Sequence, residues 1–170
     1  MPVDDCSHTF AELAQTGLPA LMTQMHQAIA SSTPLSDFLV PRQGVKTLLR
    51  VHGRAVDFPG CYVLLEGGKP LYVGISRKVF RRLWYHARGT KHFTATLAYS
   101  IAAHGFVSDL PRGARMVDAD FLGRFTVARE RIQRCHFAAV EIPNDLVLYL
   151  FEAYCAMELD TSAWNTFRTH

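Results

Sequence analysis

The stretch Gly60-Cys61-Tyr62-Val63-Leu64-Leu65-Glu66-Gly67-Gly68-Lys69-Pro70-Leu71-Tyr72-Val73-Gly74-Ile75 decides the fold. Residues 61–65 and 71–75 are apolar, strand-forming runs. Residues 66–70 between them form a glycine-rich loop, so the pair reads as an antiparallel hairpin. Ten positions separate Tyr62 from Tyr72 with the turn between them, so both phenols can face one side of the sheet. Tyrosine also packs well in strands, so a polar site and plain packing both remain open at this point.

Working outward, Ser76 can cap a helix over about 78–87. Residues 92–104 read as a second helix, 105–115 as a loop and 119–134 as a third helix. Residues 135–142 are apolar and strand-like. Pro143-Asn144-Asp145 ends that strand and opens a last helix over 146–159. Upstream, residues 8–31 show helical spacing, with Gly17-Leu18-Pro19 as a break. Residues 45–51 fit a strand or a short helix equally well. These elements predict an α/β (α+β) fold: a small, mainly antiparallel three-stranded sheet, carrying the tyrosine hairpin and flanked by helices. They divide into an N-terminal helical extension over 1–45 and a main domain over 46–170, with a helical insertion at about 89–134.

The composition is that of a globular chain, with 49% apolar and 19% charged residues. The net charge of +3 permits a polyanionic partner without requiring one. Its location is more telling, because Arg77, Lys78, Arg81, Arg82, Arg88 and Lys91 fall within fifteen residues. The four cysteines form no CxxC pair and read as buried free thiols. The opening residues lack the basic and apolar regions of a secretion signal, and no apolar run is long enough to span a bilayer. A cytoplasmic protein with no membrane association is the expectation. No GxSxG elbow, P-loop or zinc-protease motif is present, which removes those hydrolase classes.

Three places can carry chemistry. The first is the Tyr62/Tyr72 pair. The second is Arg82, four residues before His86 on one helical face and next to the apolar stripe of Val79, Leu83 and Ala87. A guanidinium at such a sheet–helix margin suits a phosphate, because its planar fork matches two oxygens. The third is Glu152, the only charged residue from 146 to 157. It lies either on a wet stripe with Asp145, Tyr149 and Asp160 or in a pocket, where a carboxylate needs a cation or hydrogen bonds.

Together these residues resemble the GIY-YIG nuclease family. Gly60-Cys61-Tyr62 stands where the family has Gly-Ile-Tyr, and Tyr72-Val73-Gly74 where it has Tyr-Ile-Gly. Arg82 follows Tyr72 by ten residues and precedes Leu83, as the family's arginine does. His86 matches a histidine found in many members. Glu152 lies on a late helix, like the metal-binding glutamate, and Asn165, thirteen residues on, matches the closing asparagine. The match covers about residues 58–167 and is sharpest over 60–86. About 65 residues separate His86 from Glu152, a longer interval than in compact members, which leaves Glu141 and Glu158 as alternative carboxylates.

The resemblance implies a DNA endonuclease using one divalent ion, Mg2+ or Mn2+, held by Glu152. It implies catalytic roles for Tyr62, Tyr72, Arg82, His86, Glu152 and Asn165: Tyr62 as general base or as the group that orients the water, Arg82 as phosphate clamp and Asn165 as a holder of local geometry. A nucleic-acid-binding module of the same fold, without cleavage, is the alternative. DNA is the expected partner, and the N-terminal helices are a candidate homodimer contact.

Overall fold

The computed structural model describes residues 2–167. One antiparallel sheet is built from β1 (Thr33–Pro34), β2 (Gly60–Glu66), β3 (Lys69–Ser76) and β4 (His136–Glu141), in the order β1-β4-β2-β3. The helices are α1 (Phe10–Glu12), α2 (Leu18–Ala30), α3 (Val45–Val51), α4 (Val79–Arg88), α5 (Thr96–Ala103), α6 (Arg112–Arg115), α7 (Ala119–Gln133) and α8 (Asp145–Glu158). The mixed α/β class matches the expectation. The sheet has four strands rather than three, because β1 is a two-residue edge piece, too short to leave any periodic pattern.

Both faces of the sheet are covered, which is why β2 is apolar at nearly every position. On one face Tyr62, Leu64 and Phe137 pack with Val79 and Leu83 of α4, Leu97 of α5 and Phe121 and Phe125 of α7. On the other, Cys61, Val63, Val73 and Val140 pack with Met22 and Met25 of α2 and Leu148, Phe151 and Cys155 of α8. Residues 2–45 therefore contribute a strand and part of a covering layer. All four cysteines are buried free thiols. No described helix is long and apolar enough to cross a membrane.

The hairpin turn is tighter than the five-residue loop expected. Strand pairing continues to Glu66 and Lys69, leaving only Gly67 and Gly68 in the turn, with φ of 56° and 80°. Two consecutive left-handed residues form the turn that matches strand twist, and glycine adopts them without steric cost. A register shift at Leu64/Leu65 restores the pairing above it.

Four further local expectations need correction. The helix over the N-terminal segment does not break at Gly17-Leu18-Pro19. A π-helical turn over Leu13–Gly17 carries α1 into α2, with the Leu18 amide bonded to the Leu13 carbonyl. The widened turn accommodates Pro19, which lacks an amide proton and would crowd a regular helix. Residues 112–115, expected as part of a loop, form the short helix α6, while residues 45–51, open between strand and helix, are helical. Ser76 does not cap α4; its Oγ accepts only from the Lys78 amide. The cap is Asp57, whose carboxylate accepts from the amides of Phe80 at 2.9 Å and Arg81 at 3.0 Å. The helix expected from His92 begins at Thr96 instead. Thr94 Oγ1 donates to the Lys91 carbonyl, and this local bond holds a turn there.

Candidate active site

Tyr62 and Tyr72 point to the same face of the sheet, with ring centroids 6.3 Å apart. Pairing aligns Tyr62 with Gly74 across the hairpin and Tyr72 with Leu64. The Tyr62 ring lies directly over Gly74, where a Cβ would stand 2.5 Å from the phenol oxygen and 2.9 Å from the Tyr72 ring. The first motif glycine is equally constrained: a Cβ on Gly60 would meet the Val140 carbonyl oxygen at 2.3 Å. Both glycines are thus dictated by close approach.

Helix α4, fixed at its start by Asp57, aims two side chains at this cluster. The Tyr62 hydroxyl and His86 Nε2 are hydrogen-bonded at 2.8 Å. Arg82 donates from Nε to the same hydroxyl at 3.4 Å, from Nη1 to the Thr94 carbonyl at 3.4 Å and from Nη2 to Thr96 Oγ1 at 2.5 Å. The turn before α5 therefore orients the guanidinium. Thr96 was not anticipated from sequence, and neither was the bond from Arg82 to the Thr94 carbonyl. Arg82 also lines an open cleft of about 420 Å3 with Ser76, Lys78, Arg81, Tyr85, Phe93 and Thr94. Among the described residues no carboxylate lines this cleft, so its charge suits an anion.

Electrostatics keep the inner pair neutral. Tyr62 is 1% exposed, and burial, with the Tyr72 phenol beside it, pushes its pKa far up, opposed by Arg82. His86 is fully buried, and desolvation, then the Arg82 charge, pulls its pKa well down. Its Nδ1 has no hydrogen-bond partner among the described residues. Tyr72 is half-buried. Desolvation raises its phenol, Arg82 lowers it and Glu152 raises it again.

Glu152 approaches from elsewhere. Helix α8 packs on the sheet face opposite α4, but against the free edge strand β3. The Glu152 carboxylate thus influences Tyr72 around that edge, while no hydrogen bond ties it to Tyr62, Tyr72 or Arg82. It is half-buried, its pKa is raised by desolvation, and no described residue forms an ion pair or hydrogen bond with it. The other acids on or near α8 are differently occupied. Glu141 pairs with Arg54 at 2.7 Å, Asp145 pairs with Arg77, and Glu158 is exposed. Among the described residues no group of three or more His, Cys, Asp or Glu side chains stands ready to hold a metal ion.

Asn165 closes the arrangement. Its Oδ1 accepts from the Val73 amide at 2.9 Å and its Nδ2 donates to the Val73 carbonyl at 2.8 Å. The side-chain amide takes the place of a neighbouring strand and pins the edge between Tyr72 and Gly74. The structure thus joins Tyr62, Tyr72, Arg82 and His86 in one cluster and sets Asn165 behind it, but leaves Glu152 on α8, which packs on the opposite face of the sheet from α4.

No protein-family model matches the chain, and no curated protein or solved structure matches it significantly.

Proposed function

We propose that this protein is a metal-dependent endonuclease that hydrolyses DNA phosphodiester bonds at the free edge of β3. The supporting observation is a guanidinium that lines an open basic cleft and also bonds to a tyrosine, itself bonded to a neutral histidine. An anion-binding group and a proton-transfer pair are thereby coupled in one site.

Glu152 is the residue that would hold a divalent ion. A half-buried carboxylate with no cation or donor against it has the hard-oxygen chemistry that Mg2+ or Mn2+ prefers. A single protein ligand leaves most of the coordination shell to water and phosphate oxygens. Bound there, such an ion supplies charge neutralisation at the phosphate and the departing 3′ oxygen.

The chain's own residues do the rest. Arg82 clamps the scissile phosphate through its planar fork. Tyr62 takes a proton from the attacking water while passing its own to His86 Nε2. A free phenolate would be costly in this buried pair, so the two transfers must be concerted, and they leave a buried imidazolium on His86 that desolvation and Arg82 both disfavour. Docking of phosphate on Arg82 lowers the barrier, because the incoming negative charge offsets the repulsion between guanidinium and imidazolium. Tyr72 lines the path from the rim, and Asn165 keeps the edge strand in place. A Tyr62 that is only 1% exposed requires the Arg82 and Tyr72 side chains to part when substrate enters.

That same burial favours the second reading, a module that binds nucleic acid without cutting it. Incubation of plasmid and branched DNA with Mg2+ or Mn2+ separates the two. Cleavage by the parent and its loss in Tyr62→Phe, Arg82→Ala and Glu152→Ala are expected. Equal cutting by all four proteins overturns the assignment. Binding without cutting under either metal leaves only the module.

A further inference from the structure

A second hollow of about 690 Å3 lies on the other flank of the α4 N-terminal turn, within the range of about 300–1,000 Å3 typical of ligand sites. Its apolar lining comes from the buried Leu49, the half-buried Trp84 indole and the exposed Val56 at its edge. Its rim carries Lys46, Lys78 and Arg81, all exposed and without an ion-pair partner among the described residues. One carboxylate lines the hollow, that of Asp57, and both its oxygens are already bonded to backbone amides. Among the described residues the buried indole N–H of Trp84 has no acceptor. Lys78, Arg81 and Tyr85 also line the Arg82 cleft, so the two concavities share a wall.

The geometry points to a single-stranded DNA subsite: an unpaired nucleobase seated against Trp84, with the flanking phosphates held by Lys46, Lys78 and Arg81. This rests on the reading of the Arg82 cleft as a DNA site and specifies its substrate as a strand carrying unpaired bases. The chemistry divides as a nucleotide does. An aromatic and aliphatic floor accepts the π-face of a base of any sequence, and the unpaired cations accept its phosphates. The orphan indole N–H is a donor that a base carbonyl or ring nitrogen can satisfy once the ring shifts. A duplex keeps its bases stacked and cannot offer one to a concave floor. A strand crossing the shared wall therefore runs from the Trp84 hollow onto Arg82, which places the cut beside a single-stranded segment.

The test uses the full chain in chelator, so that no cleavage intervenes. Indole emission is followed as unlabelled oligothymidylate is added. Emission of Trp84→Phe serves as the background, because Trp164 is the only other tryptophan. Anisotropy of a labelled strand and of its duplex gives the affinities. Expected are a saturable emission change that is absent in Trp84→Phe, and single-strand binding at least about tenfold tighter than duplex binding. Lys46→Ala and Lys78→Ala should each weaken binding and lower the salt slope by roughly 0.7 for the single strand. An unchanged indole signal while the labelled strand binds overturns the subsite. So does equal affinity for single strand and duplex, or no binding at all. Mg2+-dependent cutting of DNA without the Trp84 response removes the subsite and leaves the nuclease. The Trp84 response without any cutting removes hydrolysis and leaves the subsite.

Discussion

The Tyr62 phenol occupies the space that a side chain at position 74 would need: a Cβ there would stand 2.5 Å from its oxygen. The oxygen held in that space is the one bonded to His86 and Arg82. Gly74→Ala must displace either the ring or the edge strand. Overpacking of this kind costs typically about 1–3 kcal/mol. The expected result is a lower urea midpoint and a loss of cleavage larger than the fraction unfolded explains. Wild-type stability and cutting in Gly74→Ala would show that the Tyr62 position is not fixed by this contact.

Asp57 is the second point of control, acting on Arg82 through the helix that carries it. Removing a side chain that caps a helix costs about 0.5–2 kcal/mol. Asp57→Ala should lie in that range by denaturant unfolding, while Asp57→Asn, which keeps one acceptor oxygen, should lose less. If Arg82 depends on this anchor, both variants weaken DNA binding in proportion to their loss of stability.

These two residues mark the limit of what sequence can disclose. The hairpin was legible because its strands, turn glycines and tyrosine spacing are all local. Arg82 and His86 were legible because four positions on a helix define a face. Asp57 was not, since its partners lie 23 and 24 residues away and only the folded chain brings them together. Thr96 and the bond from Arg82 to the Thr94 carbonyl were hidden for the same reason, and by a helix start read four residues early. Strand β1 was too short for any pattern. The apolar neighbours of Glu152 left a wet stripe and a pocket both open, and only the folded chain shows the carboxylate half-buried. Its position on the sheet face opposite α4 depends on how α8 packs, which its own sequence does not specify.

Asn165 provides a test of the edge itself. Asn165→Ala leaves the amide and carbonyl of Val73 without their side-chain partner, at a cost of about 1–3 kcal/mol if water cannot replace it. Asn165→Asp keeps an acceptor for the amide but faces the carbonyl with a carboxylate, and should be no better than alanine. Amide hydrogen exchange at Val73 is the direct readout, and accelerated exchange is expected in both variants. Unchanged protection would mean that the tail does not hold the edge in solution.

The pH dependence follows from His86. Its pKa is lowered by folding, so the unfolded chain binds a proton that the folded chain refuses. The stability is fully present above the unfolded value of about 6.5 and falls as pH drops below it. Urea midpoints measured from pH 7.5 to 5.5 should therefore decline on acidification. In His86→Leu this part of the slope should disappear, whatever the variant's absolute stability. A slope identical in parent and variant would mean that His86 is not buried neutral.

Glu152 has the opposite relation to pH and separates metal binding from catalysis. Desolvation raises its pKa, so the folded chain holds the proton more tightly than the unfolded chain does. Its neutral form is favoured on folding, and that stability is lost as pH rises through the raised pKa. At pH 7 the ionised side chain is therefore a burden on the fold, and Glu152→Gln should be more stable than the parent. A cation at this carboxylate removes the burden. Mg2+ at ten times its dissociation constant stabilises a binding protein by about 1.4 kcal/mol. The parent's melting temperature should rise with Mg2+ or Mn2+, while that of Glu152→Gln should not, with DNA absent from both. A Glu152→Gln variant that is stabilised by the metal as much as the parent would move the ion to another carboxylate. A parent insensitive to both metals would leave the ion dependent on the DNA phosphate for its remaining ligands, and the same melts repeated with an uncleavable oligonucleotide would then have to show the Glu152-dependent rise.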